Sequence, residues 1–201
     1  MKTWQKLRWR DYPNAHWAQN ENGTHWYNAE ARENLRLSSK SHWLIPIQWN
    51  DEVLHFITAH PTPPVFDGPE DRNGLRNHDE IGLLAMIIDP ERSQSIRDDR
   101  RQRGGLKKGA LFVIAGDMNA DPMDGDSTMN AMDQLLNHSL INASHVPTSK
   151  GAMVASQVQG GVNTQHKGDA AADTADFNDE RGPGNLRIDY VLPSHQLKIK
   201  D

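Results

Sequence analysis

The chain has 201 residues, of which 36% are hydrophobic and 24% are charged, and its formal net charge is −5. This length suffices for one domain, and the low hydrophobic share predicts long loops around a modest core or a piece of a larger structure. The acidic balance argues against a non-specific polyanion-binding surface. The absence of cysteine excludes disulfide scaffolds and thiolate zinc sites. No segment approaches the roughly 20 apolar residues that a membrane-spanning helix needs.

The first half of the chain begins with an irregular segment and continues into strands. Residues 1–36 are rich in tryptophan and show no sustained period, which predicts a surface segment with a short helix near residues 28–36. Residues 42–49 and 52–60 are rich in β-branched and aromatic side chains and therefore predict two strands. The Asn-Asp pair between them predicts a tight hairpin.

The remainder of the chain predicts alternating helices and strands, and hence an α/β (α+β) fold. Apolar residues at helical spacing predict a helix over 77–89, and a similar pattern predicts another over 126–138. Residues 109–119 form a continuous apolar stretch, which is typical of a strand buried on both faces. Residues 142–186 have no period and predict a long loop. A final strand is predicted over 186–194.

Polar residues stand where the predicted strands end, which is the usual place for a site in α/β proteins: His60, Asp117, Asn119 and Asp189. Asp117 and Asn119 are two apart, so we expect their side chains to face the same side of one strand. A carboxylate beside an amide suits a divalent cation and an anionic substrate, and a histidine can act as a general acid.

Each of these positions also has a structural explanation. The sequence Gly-Asp-x-Asn is common in turns, and a histidine at a strand end is often a hydrogen-bonded partner. Asp189 could pair with Arg187 on the same face, or it could orient a catalytic histidine. The residues considered one by one leave these alternatives open.

The order of the motifs H-P, G-D-M-N and R-I-D-Y-V-L resembles the endonuclease/exonuclease/phosphatase superfamily, which has the pancreatic deoxyribonuclease-like fold. The longer strings SSKSHW, AHPTPPVFDGPEDRNGLRNHDEI and GNLRIDYVLPS are similar to a bacterial branch of uncharacterised, often exported members. The resemblance implies a two-sheet β-sandwich flanked by helices. It also implies Mg²⁺- or Mn²⁺-dependent hydrolysis of a phosphodiester or phosphomonoester by an activated water.

Carried over position by position, the resemblance implies a role for each strand-end residue. His60 corresponds to the first catalytic histidine, and Asp117 corresponds to the metal-linked carboxylate that aligns the attacking water. Asn119 corresponds to the amide that orients the phosphate. Asp189 corresponds to the acid that orients a second histidine.

The chain departs from the family pattern at both ends. No residue upstream of His60 matches the family's Asn and Glu metal ligands, and no Ser-Asp-His strand follows the last predicted strand. His195 lies in the turn directly after that strand and does not replace the second histidine. We therefore expect residues 1–201 to form a single, partial domain cut at both ends, with Asp117 in a partial metal site. The alternative is a non-catalytic fragment or binding module that self-associates through open sheet edges.

Two further groups of residues are weaker candidates. The first group lies at the start of the predicted helix and could either bind a phosphate or cap the helix and add surface charge. Its members are Arg72, Asn73, Arg76 and Asn77. A Ca²⁺ site is one interpretation of the acidic residues in the long loop and in 121–126, and a solvated acidic surface is the other. The loop residues concerned are His166, Asp169, Asp173 and Asp176.

The charge distribution indicates a class of substrate, and the resemblance indicates a location. Because basic stripes are absent, a small-molecule or lipid-headgroup phosphate ester is expected rather than nucleic acid. The resemblance favours an extracellular or periplasmic protein, although the first residues lack the apolar core of a secretory signal peptide.

Overall fold

The structure, a computed structural model, describes residues 1–13 and 15–200. The strands are β1 (Lys2–Thr3), β2 (His42–Trp49), β3 (Glu52–Ala59), β4 (Leu111–Asp117), β5 (Ala175–Asp176), β6 (Asn185–Leu186) and β7 (Asp189–Pro193). The main element is a five-stranded mixed sheet in the order β1-β2-β3-β4-β7, and β5 and β6 form a second, two-stranded sheet. The α-helices are α1 (Ala29–Asn34), α2 (Arg72–Ile88), α3 (Asp133–Leu136) and α4 (Lys150–Gln159). The α/β class with two sheets and helices is confirmed.

The sheet topology brings the ends of β3 and β4 to one edge. β2 and β3 form the predicted antiparallel hairpin, and Asn50 in its turn has a positive φ of 52°, as tight hairpin turns require. β3 then pairs in parallel with β4, and α2 lies in the connection between them. β7 pairs with β4 antiparallel. The C-terminal ends of β3 and β4 therefore point the same way.

One face of the five-stranded sheet is buried in the core. Leu44, Ile57 and Ile114 lie in one row across β2, β3 and β4. They belong to the same buried cluster as Ile81 and Leu84 of α2. Burial of this apolar surface is the main contribution to the stability of the fold.

The opposite face of the sheet is also apolar but remains exposed, and we call it the open face. Its most exposed side chains are Trp43 (43%), Ile47 (44%), Trp49 (50%) and Val191 (71%). Contiguous exposed apolar surface commonly marks a place where another surface binds. The second sheet has only two strands.

Two helical regions differ from their predicted bounds. α2 begins at Arg72 rather than at residue 77, because its polar first turn is held by hydrogen bonds: the Asn73 N–H donates to Asp67 Oδ2 (2.6 Å). The predicted helix over 126–138 is reduced to a 3-10 turn and the four residues of α3. Met129 and Asn130 both have positive φ, and this interrupts the helix.

Residues 142–186, predicted as a long loop, contain a ten-residue helix, α4. Ser149 caps its N-terminus by accepting the Gly151 N–H, and Gly160, with a φ of 65°, follows its last residue. No residue of α4 is buried, and its short apolar pattern, Val154 and Val158 one turn apart, remains exposed. In the described part of the chain, no helix combines the length and apolar character needed to cross a bilayer.

Candidate active site

His60 and Asp117 meet at the edge of the sheet where β3 and β4 end. The parallel register pairs Thr58 with Ala115, so His60 follows β3 at the level where Asp117 closes β4. His60 Nε2 lies 3.4 Å from Asp117 Oδ2, and their side chains are 45% and 30% exposed. The structure therefore brings these two candidates together in a position that a ligand can reach.

Gly116 permits this close approach of the two strands. A Cβ atom at position 116 would lie 2.1 Å from the carbonyl oxygen of Ala59, which is far inside any allowed contact. Any other residue at position 116 would therefore push apart the strand ends that carry His60 and Asp117. The sequence alone does not reveal this role, because a strand glycine indicates a close backbone approach only when its neighbour is known.

Asp189 stands directly opposite Asp117 in the antiparallel pair of β4 and β7. Side chains in such a pair are on the same face, about 5 Å apart at Cβ, and two like charges there repel each other. Asp189 is exposed rather than buried. The expected partner Arg187 instead places its guanidinium 4.6 Å from the ring centre of Tyr190.

Asn119 lies beyond the strand, and its backbone turns. β4 ends at Asp117, and Asn119 has a φ of 50°, so the expectation that both side chains extend from one strand face is wrong. The Asn119 N–H donates to Asp117 Oδ1 (2.8 Å), and Asn119 Nδ2 donates to the carbonyl oxygen of Pro61 (3.1 Å). Asn119 therefore fixes the carboxylate of Asp117 and the segment that follows His60.

Asn77 has a supporting role rather than a place in a phosphate clamp. Its side chain is fully buried, and Nδ2 donates to the carbonyl oxygens of Thr62 (2.8 Å) and Met118 (2.9 Å). These two residues lie next to the strand ends that carry His60 and Asp117. Asn77 thus connects α2 to both segments of the candidate site, which corrects the expected role in binding phosphate.

The other residues of the expected clamp are also occupied. Their donors are bonded within the chain: Arg72 Nη1 to Glu70 Oε1, Asn73 Nδ2 to Val65 O (2.7 Å), Arg76 Nε to Leu37 O (2.9 Å) and Arg76 Nη2 to Arg36 O (2.6 Å). These bonds favour structural anchoring of the start of α2 over the phosphate clamp.

A family model described as the Endonuclease/Exonuclease/phosphatase family matches residues 12–201. The chain belongs to this family. No curated protein matches the chain.

Solved structures that match the chain include sphingomyelinase C from Streptomyces griseocarneus, at 12% identity and a TM-score of 0.45, with 86% of this chain and 46% of that chain covered. A beta toxin from Staphylococcus aureus with bound magnesium ions matches at 12% identity and a TM-score of 0.41, with 78% of this chain and 43% of that chain covered. An endonuclease/exonuclease/phosphatase family protein from Leptotrichia buccalis matches at 16% identity and a TM-score of 0.41, with 83% of this chain and 45% of that chain covered. The chain spans less than half the length of each.

The donors at the strand ends fit the hard divalent cation that the family resemblance implies. Asp117 and Asp189 present carboxylate oxygens from directly opposed positions, and such oxygens are the ligands that Mg²⁺ and Mn²⁺ prefer. A cation between them would also compensate their mutual repulsion. This edge of the sheet therefore has the donor chemistry for a metal.

The acidic residues of the 142–186 segment favour the interpretation as an acidic surface over that as a Ca²⁺ site. Asp169 Oδ1 accepts the Ala171 N–H (3.0 Å), and Asp176 Oδ2 accepts from Gln159 Nε2 (2.9 Å). In residues 1–13 and 15–200, none of the four candidate residues belongs to a group of three or more potential ligands whose ligand atoms all lie within 4.8 Å of one another. The same holds for residues 121–126, where the Asp124 carboxylate accepts backbone N–H groups. Asp169 thus stabilises a local turn, whereas Asp124 and Asp176 hold segments that are distant in the sequence.

Asp173 makes stability depend on pH. Burial, together with the negative charges of Asp121, Asp124 and Asp169, raises the pKa of Asp173 from 3.8 to about 6. A carboxyl group with a higher pKa in the folded state binds its proton more tightly there, so its contribution to stability falls as the pH rises from about 4 to about 6.

We therefore expect Asp173→Asn to stabilise the protein at pH 7 by on the order of 1 kcal/mol after solvent screening, or about 2–4 °C in Tm. Thermal melts between pH 3.5 and 7.5 measure this difference, which should become small toward the acidic end, where Asp173 is protonated in both states. Asp51→Asn, in the exposed hairpin turn, is the control. An equal gain at every pH would contradict the assignment to Asp173.

Proposed function

We propose that this chain carries the catalytic centre of a metal-dependent phosphoesterase, which hydrolyses a phosphodiester or phosphomonoester by attack of an activated water. The observation that supports this best is the contact between His60 and Asp117, beside the opposed carboxylate of Asp189. The ends of adjacent strands thus carry an imidazole, two carboxylates and an amide. These groups can donate and accept the hydrogen bonds and protons that phosphoryl transfer requires.

Each residue of the candidate site has its own role in the proposed hydrolysis. Asp117 Oδ2 is accessible and can accept a hydrogen bond from a water and align it for attack. His60 is within reach of the same carboxylate and can donate a proton to the leaving oxygen. Asn119 uses one amide hydrogen on Pro61, which leaves the second for a phosphate oxygen. A bound Mg²⁺ or Mn²⁺ supplies stabilisation of the negative charge that develops on the phosphoryl group.

The substrate class follows from charge. The net charge of −5 disfavours a polynucleotide, so a small-molecule or lipid-headgroup phosphate ester is proposed. The motif resemblance to an exported branch supports an extracellular or periplasmic location.

The direct test is hydrolysis of bis-(p-nitrophenyl) phosphate with Mg²⁺ or Mn²⁺. We expect His60→Ala to lower the rate by about 10²–10⁴-fold, because proton transfer contributes that much. His195→Ala is the matched control, because His195 is exposed in the turn after β7 and should leave the rate unchanged. Unchanged turnover in His60→Ala, or an equal loss in the control, would contradict the proposal.

A binding measurement tests the metal independently of turnover. Titration with Mn²⁺ followed by electron paramagnetic resonance should show at least about tenfold weaker binding in Asp117→Asn, because a charged ligand is lost. Asp51→Asn should bind as the unmodified chain does. Equal affinities of Asp117→Asn and the unmodified chain would overturn the assignment of the metal to this edge.

The second candidate function is a binding or oligomerising module without catalysis. The open face supports it, because exposed apolar side chains favour association. This candidate predicts sedimentation as an oligomer and no hydrolysis that depends on His60. Sedimentation and the hydrolysis assay together therefore separate the candidates.

A further inference from the structure

Asp79 on α2 is fully buried, and its carboxylate is held in one orientation. Its Oδ2 accepts hydrogen bonds from the indole Nε1 of Trp9 (2.6 Å) and from the backbone N–H of His16 (2.8 Å). Because both bonds are on Oδ2, the other oxygen, Oδ1, is directed elsewhere. Carboxylates that bind metals are commonly fixed in this way through their second oxygen.

Two histidines converge on Oδ1 of this carboxylate. Asp79 Oδ1 lies 2.6 Å from Nδ1 of His16 and 3.1 Å from Nδ1 of His78. The two imidazole rings are 4.8 Å apart at their centroids and almost perpendicular, at 85°. All three ligand atoms lie within 4.8 Å of one another.

We propose that His16, His78 and Asp79 bind a divalent transition metal, with Zn²⁺ as the best fit, at a site separate from the one on Asp117. Ligand atoms around a tetrahedral Zn²⁺ are about 3.4 Å apart, given bond lengths of about 2.0–2.2 Å. The Nδ1–Oδ1 separations of 2.6 and 3.1 Å are shorter than this value, so the two rings would rotate away from Oδ1 to admit the ion. Two nitrogens and one oxygen favour Zn²⁺ over Mg²⁺, which prefers oxygen ligands throughout.

The surroundings allow an ion to enter and to keep a water. The His16 side chain is 35% exposed, the His78 side chain 12% and Asp79 not at all, so the site opens toward solvent on the His16 side. Two neutral imidazoles and one carboxylate carry a single negative charge, which suits a divalent ion with water as the fourth ligand. The site connects the N-terminal segment to α2, so a bound ion would stabilise the folded state.

Titration of the full chain with Co²⁺, a spectroscopic substitute for Zn²⁺, tests the proposal through the visible absorption of tetrahedral Co²⁺. We expect His16→Ala to weaken binding by at least about tenfold, and His78→Ala to do the same. His25→Ala is the matched control, because His25 is exposed in the same N-terminal segment. Asp117→Asn should bind as tightly as the unmodified chain.

Thermal melts with Zn²⁺ provide a second measurement. The metal should raise Tm in the unmodified chain and in His25→Ala, but not in His16→Ala, which should still fold because the His16 side chain is partly exposed. The proposal is overturned if the chain binds no Co²⁺, if His16→Ala binds it as the unmodified chain does, or if Asp117→Asn abolishes binding.

Discussion

Glu80→Ala should lower the free energy of unfolding by about 3–5 kcal/mol, because it removes a buried charged acceptor and leaves its donors unpaired. Glu80 is fully buried on α2. Its Oε1 accepts the N–H (2.6 Å) and the hydroxyl (2.9 Å) of Ser39, and its Oε2 accepts the N–H of Thr62 (2.6 Å). Chemical denaturation measures the loss, and Tm should fall by about 6–20 °C.

Glu91→Ala is the control, since Glu91 is exposed just after α2 and its loss should change stability by at most about 0.5 kcal/mol. Thr62 lies two residues after His60, so Glu80→Ala should also loosen the segment that carries this histidine. A loss below about 1 kcal/mol would show that water replaces the carboxylate and that the buried bonds contribute little.

Truncation of an apolar side chain should cost far more stability on the buried face of the sheet than on the open face. Ile57 is fully buried, so Ile57→Ala should cost about 2–5 kcal/mol through lost burial and the cavity it leaves. Ile47 on the paired strand is 44% exposed on the open face, so Ile47→Ala should cost less than about 1 kcal/mol. Urea denaturation of the two variants gives both values.

A polar substitution at position 47 tests whether the open face drives self-association in solution. Ile47→Thr should reduce self-association in analytical ultracentrifugation if apolar contact across this face drives it. The exposed face would be a passive surface if Ile47→Thr sedimented as the unmodified chain does. Comparable losses of stability in Ile57→Ala and Ile47→Ala would show that the open face is covered in solution.

Local patterns predicted the elements whose formation depends on local chemistry. The β2–β3 hairpin followed from β-branched strands and an Asn-Asp turn, and Asn50 has the positive φ that this turn needs. The polar residues that end β3 and β4 were identified because they interrupt apolar patterns. The α4 helix escaped prediction because its apolar pattern is short, with Val154 and Val158 one turn apart, and lies within a stretch rich in Gly, Ala and polar residues.

The supporting residues could not be predicted, because their partners are distant in the sequence. Asn77 and Glu80 look like ordinary polar positions of a helix, and only the fold shows that both are buried and bonded to the segments beside the site. Arg72 and Arg76 suggested a phosphate clamp for the same reason, since a sequence does not show that backbone oxygens already occupy their donors. Asp79 and His16 likewise meet only in the fold.

The parallel pairing of β3 with β4 has a consequence for the order of folding. Leu54 pairs with Leu111, and Ala115 pairs with Val191, so these ladders close long loops, whereas the β2–β3 hairpin closes a very short one. Ladders that close long loops form slowly, because chain entropy is lost before contacts compensate for it. We therefore expect the contact between His60 and Asp117 to form after the β2–β3 hairpin, whose apolar side chains stay accessible until then. We expect nascent chains to be most prone to aggregation before β4 emerges from the ribosome.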